Sequence, residues 1–148
     1  MRIALIGYRT WALNIYSKIK DEFTEFSYLD QFSEEDYSMK EISEFQPDLV
    51  LFYGWSNIIS DELIKDYTCL MLHPSPLPKY RGGSPIQNQI IRGEKKSAVT
   101  IFKMDRGIDT GPIAGQQEFN LEGSLNEIFK RIEIVGYNLT KDILLNGL

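Results

Sequence analysis

Three short, uninterrupted apolar runs constrain this chain more than any other feature: Ile3-Ala4-Leu5-Ile6, Leu49-Val50-Leu51-Phe52-Tyr53 and Cys69-Leu70-Met71-Leu72. A strand with one face in water alternates apolar and polar residues. A run that does not alternate reads as a strand covered on both faces, the situation of a parallel sheet with helices on either side. Arg2 to Gly7 predicts the first strand, and Tyr8-Arg9 a turn. Thr10 is expected to cap a helix to about Lys20, with Trp11, Ile15 and Ile19 on one face. The turn lacks the Gly-x-Gly-x-x-Gly pattern, which argues against dinucleotide binding.

Further along, Phe26 to Leu29 predicts a strand and Ser33 to Asp36 a solvated surface. Met39 to Phe45 reads as a helix that stops before Pro47. Ser60 is expected to cap a helix through Tyr67. Ser84, Pro85 and Gln87 carry three helix-start signals together: an N-cap, a proline at the first position and a glutamine at the third. Ala98 to Met104 and Ile113 to Phe119 predict two more strands. Ser124 and Glu127 form a capping box that opens the longest helix, to about Leu145, with Ile128, Ile132, Val135 and Leu139 inward. The fold class that follows is α/β: one domain over residues 1–148, built on an open, mostly parallel, doubly wound sheet flanked by helices.

Charge and cysteine usage bound the partners. A net charge of -5 opposes long contacts with nucleic acid, which need clustered Lys and Arg. The single cysteine, Cys69, lies in an apolar run and reads as a packing residue, which suits a reducing, cytoplasmic setting. Met1-Arg2 leads directly into a four-residue apolar run, so neither a signal peptide nor a membrane partner is expected.

The stretch that carries chemistry is irregular. His73-Pro74-Ser75-Pro76-Leu77-Pro78-Lys79-Tyr80-Arg81-Gly82-Gly83 holds three prolines, which rule out a regular helix or a central strand. His73 is the only histidine, stands at a strand end and opens a rigid loop. Histidine exchanges protons near neutral pH, so it is a candidate acid-base group. Asp109 sits in the Gly-rich turn Arg106-Gly107-Ile108-Asp109-Thr110-Gly111-Pro112. It reads either as a turn residue bonding its own backbone or as a carboxylate that orients His73. Spacing alone cannot bring the two together.

The segment from Leu72 through Gln87 resembles the signature of the formyltransferases that use 10-formyltetrahydrofolate, a family that includes methionyl-tRNA, glycinamide ribonucleotide and sugar N-formyltransferases. The segment from Ser97 through Ile113 resembles the family's second signature, in the same order and at a matching separation. The resemblance implies transfer of a formyl group from the folate to an amine, without a metal. It implies catalytic roles for His73 and Asp109. It places the folate against Trp55 and Ile58 in one loop and Arg106, Ile108 and Asp109 in another, with Met71 beside the pterin.

One position departs from the family. The catalytic trio is Asn, His and Asp, and the place of the asparagine, two residues before the histidine, holds Met71. A thioether donates no hydrogen bond, and loss of one oxyanion donor can cost roughly a hundred- to a thousandfold in rate. Asn57, Asn88 or a backbone N–H are candidate substitutes. The departure keeps two alternatives open: a folate-binding regulatory module and a hydrolase that uses water as acceptor. By the same resemblance, methionyl-tRNA formyltransferase adds a C-terminal β-barrel domain, which a chain of 148 residues is not expected to hold. With the acidic charge, this favours a small acceptor, an amino sugar or a nucleotide-linked amino sugar, over nucleic acid. Tyr8, Arg9, Ser75, Lys79, Tyr80 and Arg81 are its candidate contacts, and a second copy of the chain is a further candidate partner.

Overall fold

The uninterrupted apolar runs are buried strands in the structure, a computed structural model that describes residues 1–148. The chain divides into two units, Met1–Met71 and Leu72–Leu148. No helix is long and apolar enough to cross a membrane.

In the first unit β1 (Arg2–Ile6) leads to α1 (Thr10–Glu22), β2 (Ser27–Gln31), α2 (Met39–Phe45), β3 (Leu49–Phe52), α3 (Asp61–Asp66) and the start of β4 (Cys69–His73). The strands are parallel in the order β2-β1-β3-β4, with Ile3 opposite both Tyr28 and Leu49, and Val50 opposite Cys69. Ile3, Leu5, Val50 and Leu51 are fully buried, as side chains from a strand covered on both faces must be. Ile15, Tyr16 and Ile19 of α1 are buried with them, whereas Trp11 is half-buried and the inward face runs instead through Ala12. The Tyr16 hydroxyl lies within 2.7 Å of the Ile6 carbonyl and 3.0 Å of that of Leu51, and accepts from the Tyr53 N–H at 2.8 Å, tying β1, α1 and β3 together. The turn after β1 depends on Gly7, because a β-carbon there would sit 1.9 Å from the Tyr53 carbonyl oxygen.

The second unit holds the end of β4, then α4 (Pro85–Ile91), β5 (Lys96–Lys103), β6 (Ile113–Asn120) and α5 (Leu125–Asn146). The last two strands pair antiparallel, with Val99 opposite Gln117 and an irregularity at Ile101/Phe102. β5 is buried on both faces from Ser97 to Phe102. Ile128, Ile132 and Val135 of α5 are buried, while Leu139 is only half-buried and Thr140, Ile143 and Leu144 complete the inward face. The six strands thus form a mixed α/β arrangement, mostly parallel as expected and closed by one antiparallel pair.

Helix caps follow the sequence unevenly. Ser38, Ser60 and Ser124 each accept from the N–H three residues on. The cap of α1 is Arg9 rather than Thr10, and no side chain bonds to it. Ser84 precedes Pro85 as predicted but is left-handed, with φ at 53°, and makes no cap bond. Only an extended N-cap aims its hydroxyl at the first turn's N–H groups.

Candidate active site

His73 is the last residue of β4 and 6% exposed. The proline-rich segment that follows cannot form a ladder, because each proline lacks an N–H. Its carbonyls are bonded from outside instead. Thr100, fully buried in β5, donates through Oγ1 to the Ser75 carbonyl at 2.7 Å. Gln116 of β6 donates through Nε2 to the Leu77 carbonyl at 3.1 Å and to Thr100 Oγ1 at 2.7 Å. Gln89 of α4 donates to the Pro74 carbonyl at 2.9 Å, and Ser75 Oγ to the Lys79 carbonyl at 2.7 Å. The Leu77–Pro78 peptide bond is cis.

This pinned loop returns to the histidine. The Tyr80 carbonyl lies 2.7 Å from His73 Nε2. A carbonyl oxygen only accepts, so Nε2 carries a proton. The other ring nitrogen, Nδ1, faces Asp109 Oδ2 at 3.5 Å, and the two side chains are 7% and 10% exposed. Two residues past Tyr80, the Gly82 N–H donates to Asp109 Oδ2 at 2.8 Å. The segment from Tyr80 to Gly82 therefore holds both members of the pair, one through a carbonyl and the other through an amide.

Asp109 is left-handed, with φ at 54°, a conformation that Asp and Asn adopt more readily than other side chains. Its loop is closed locally. Asp105 Oδ1 accepts from the Gly107 N–H at 2.9 Å and from Thr110 Oγ1 at 2.7 Å, and these bonds hold its carboxyl below the usual range. Gly111 is required by close approach, since a β-carbon would lie 1.6 Å from the Lys103 carbonyl oxygen.

With one proton on Nε2, a neutral His73 turns its Nδ1 lone pair toward the Asp109 carboxylate. Uptake of one proton converts that opposition into a charge-assisted hydrogen bond with both N–H groups accepted.

The remaining predicted residues of the second unit divide into two groups. Ser75 is fully buried and its hydroxyl is committed to the loop, whereas Lys79 and Arg81 are exposed and Tyr80 half-exposed. Arg106 is exposed, and Ile108 is an apolar side chain 74% exposed. Asn88 is exposed and donates to the Gly83 carbonyl at 3.3 Å.

In the first unit Tyr8, Arg9 and Trp55 cluster. Arg9 donates to Ser56 Oγ at 3.1 Å, and its guanidinium carbon lies 5.6 Å from the centre of the Tyr8 ring. Tyr8 Oη accepts from the Ser56 N–H at 3.2 Å, and its ring lies 5.2 Å from that of Trp55. Trp55 is buried, and its Nε1 has no hydrogen-bond partner. Ile58 is 97% exposed, Asn57 exposed and Met71 half-buried.

Sequence reasoning did not find Thr100, Gln116, Gln89 or the backbone groups of Tyr80 and Gly82. Thr100 had one usable signal, a hydroxyl in the middle of an apolar strand, where it must find a partner. The backbone groups carry no side-chain signal at all.

The buried His73–Asp109 pair thus sits on two pinned loops of a mixed α/β fold. Residues 15–139 match the formyl transferase family, and the chain belongs to it. Methionyl-tRNA formyltransferase from Rickettsia massiliae is 37% identical over 109 residues, covering 71% of this chain and 36% of that protein. The chain thus spans little more than a third of the length of that relative. The structure of methionyl-tRNA formyltransferase from Clostridium thermocellum superposes with a TM-score of 0.89 at 31% identity, over 98% of this chain and 65% of that one. A sugar N-formyltransferase from a Shewanella species superposes with a TM-score of 0.75 at 20% identity, over 97% of this chain and 68% of that one, a likeness of fold.

Proposed function

We propose that this chain transfers a formyl group from 10-formyltetrahydrofolate to a primary amine. The observation that carries the reading is the His73–Asp109 pair, with Nε2 bonded to a carbonyl and Nδ1 facing a carboxylate. The amine nitrogen attacks the formyl carbon and forms a tetrahedral intermediate. The pair accepts the proton the amine loses. Collapse breaks the bond to the folate nitrogen, which leaves with that proton, so the formylated amine and the unformylated folate carry the same atoms as the reactants. Ile108, an exposed apolar side chain next to Asp109, suits an apolar ring system such as the folate's.

Two acceptors have support. Exposed Lys79 and Arg81 offer polar contacts to an amino sugar. Identity of 31–41% to methionyl-tRNA formyltransferases, against 20% to the sugar enzyme, favours methionyl-tRNA. Met71, a residue without a donor, supports the second reading, a folate-binding module or hydrolase. Product analysis with 10-formyltetrahydrofolate and each acceptor separates them. Formylated amine is the expected product. Free formate alone would establish hydrolysis, and the absence of both would leave a binding module.

A further inference from the structure

The Tyr80 carbonyl that fixes the His73 proton can point at the ring only because Tyr80 is left-handed, with φ at 59°. A β-carbon disfavours that conformation. Gly82, two residues on, also has a positive φ, 89°, but with no β-carbon it adopts that conformation without the penalty. Something must therefore hold Tyr80 in place, and the side chain supplies it. Its Oη donates to Glu94 Oε1 at 3.2 Å, and the guanidinium of Arg92 lies 5.6 Å from the ring centre. Desolvation, followed by the Glu94 carboxylate, raises the Tyr80 hydroxyl above its usual value, so it remains a donor through the neutral range. Arg92 is the C-cap of α4 and Glu94 follows two residues later, with its N–H bonded to the Gln89 carbonyl at 3.0 Å.

We propose that Tyr80, Glu94 and Arg92 form a latch at the end of α4 that positions His73. The latch fixes the left-handed turn whose carbonyl selects the Nε2–H tautomer, and through Gly82 it holds the Asp109 carboxylate at the opposite ring nitrogen. These three are positioning residues. The proposal rests on the reading of His73 and Asp109 as the acid-base pair.

The test uses the whole chain, labelled with 15N in histidine; His73 is the only one, so its two ring nitrogens give an unambiguous spectrum. Tyr80→Phe removes only the hydroxyl, Glu94→Ala removes the acceptor, and Glu94→Gln keeps one. In the wild type a single Nε2–H form is expected. Tyr80→Phe and Glu94→Ala should each give a mixture of tautomers and lower kcat roughly three- to tenfold, the factor for one hydrogen bond lost from a positioned site, with folate KM unchanged. Glu94→Gln should restore both. Wild-type ring spectra in Tyr80→Phe and Glu94→Ala, at temperatures where both are folded, would overturn the latch, as would a loss of kcat that merely tracks the folded fraction. His73→Ala separates the two ideas. Transfer retained by His73→Ala refutes the acid-base reading while the spectra still decide the latch. Transfer abolished by His73→Ala, with wild-type behaviour in Tyr80→Phe, refutes the latch alone.

Discussion

Asp109 can be altered so that chemistry and stability separate. Its Oδ2 accepts from the Gly82 N–H at 2.8 Å and faces His73 Nδ1 at 3.5 Å, and the residue is left-handed. Asn tolerates that backbone and still offers an oxygen to Gly82. Exchanging a charge-assisted bond for a neutral one should cost about 1 kcal/mol. Ala loses the bond entirely, about 1.5–3 kcal/mol, and adds about 1 kcal/mol for a left-handed β-carbon, for a total of about 2.5–4 kcal/mol. In a chain of this length about 1 kcal/mol moves Tm by roughly 2–4 °C. Asp109→Asn should therefore melt only a few degrees below the wild type, and Asp109→Ala on the order of 10 °C below. Both should lose transfer alike, roughly a hundred- to ten-thousandfold, because neither can share the proton on His73. Calorimetry beside turnover gives the answer. An Asn variant with more than half of wild-type turnover would refute the acid-base reasoning, and one as unstable as the Ala variant would refute the structural reasoning.

Other perturbations give equally definite outcomes. Met71→Asn should raise turnover, by at most roughly a hundred- to a thousandfold if the missing donor limits the rate; an unchanged rate, with a loss in Asn57→Ala or Asn88→Ala, assigns the oxyanion to that asparagine. Tyr16→Phe leaves buried backbone groups of Ile6, Leu51 and Tyr53 short of a partner and should cost about 2–4 kcal/mol, read as a shift in urea midpoint at unchanged slope. The carboxyl of Asp105 is lowered in the fold by Thr110 and the Gly107 N–H, so its contribution is present above the ordinary carboxylate pKa and disappears as pH falls through the lowered value. Asp105→Asn should accordingly lower Tm in the neutral region toward the value reached in acid, leave the acid end nearly unchanged, and so flatten the acid limb of Tm against pH.

Much of this protein is legible in its sequence. Leu49-Val50-Leu51-Phe52 and Cys69-Leu70 had to be buried strands because nothing in them could face water. Ser38, Ser60 and Ser124 cap helices, though only the last two were legible as caps beforehand. His73 and Asp109 stand out by residue type beside proline and glycine, which restrict the backbone locally. Such features are local, and local chemistry is encoded in neighbouring residues. The sequence could not supply the 3.5 Å approach of residues 73 and 109, the left-handed turns at Tyr80 and Asp109, or the proton fixed on Nε2 by a carbonyl. It also placed a capping serine at position 84, where the backbone is left-handed and the hydroxyl cannot cap. Carbonyl and amide groups are the same in every residue, so their direction is set only when the chain is closed around them. Thr100 and Gln116 become loop supports for the same reason: β5 and β6 bring their side chains to the carbonyls of Ser75 and Leu77, residues 25 and 39 positions away along the chain.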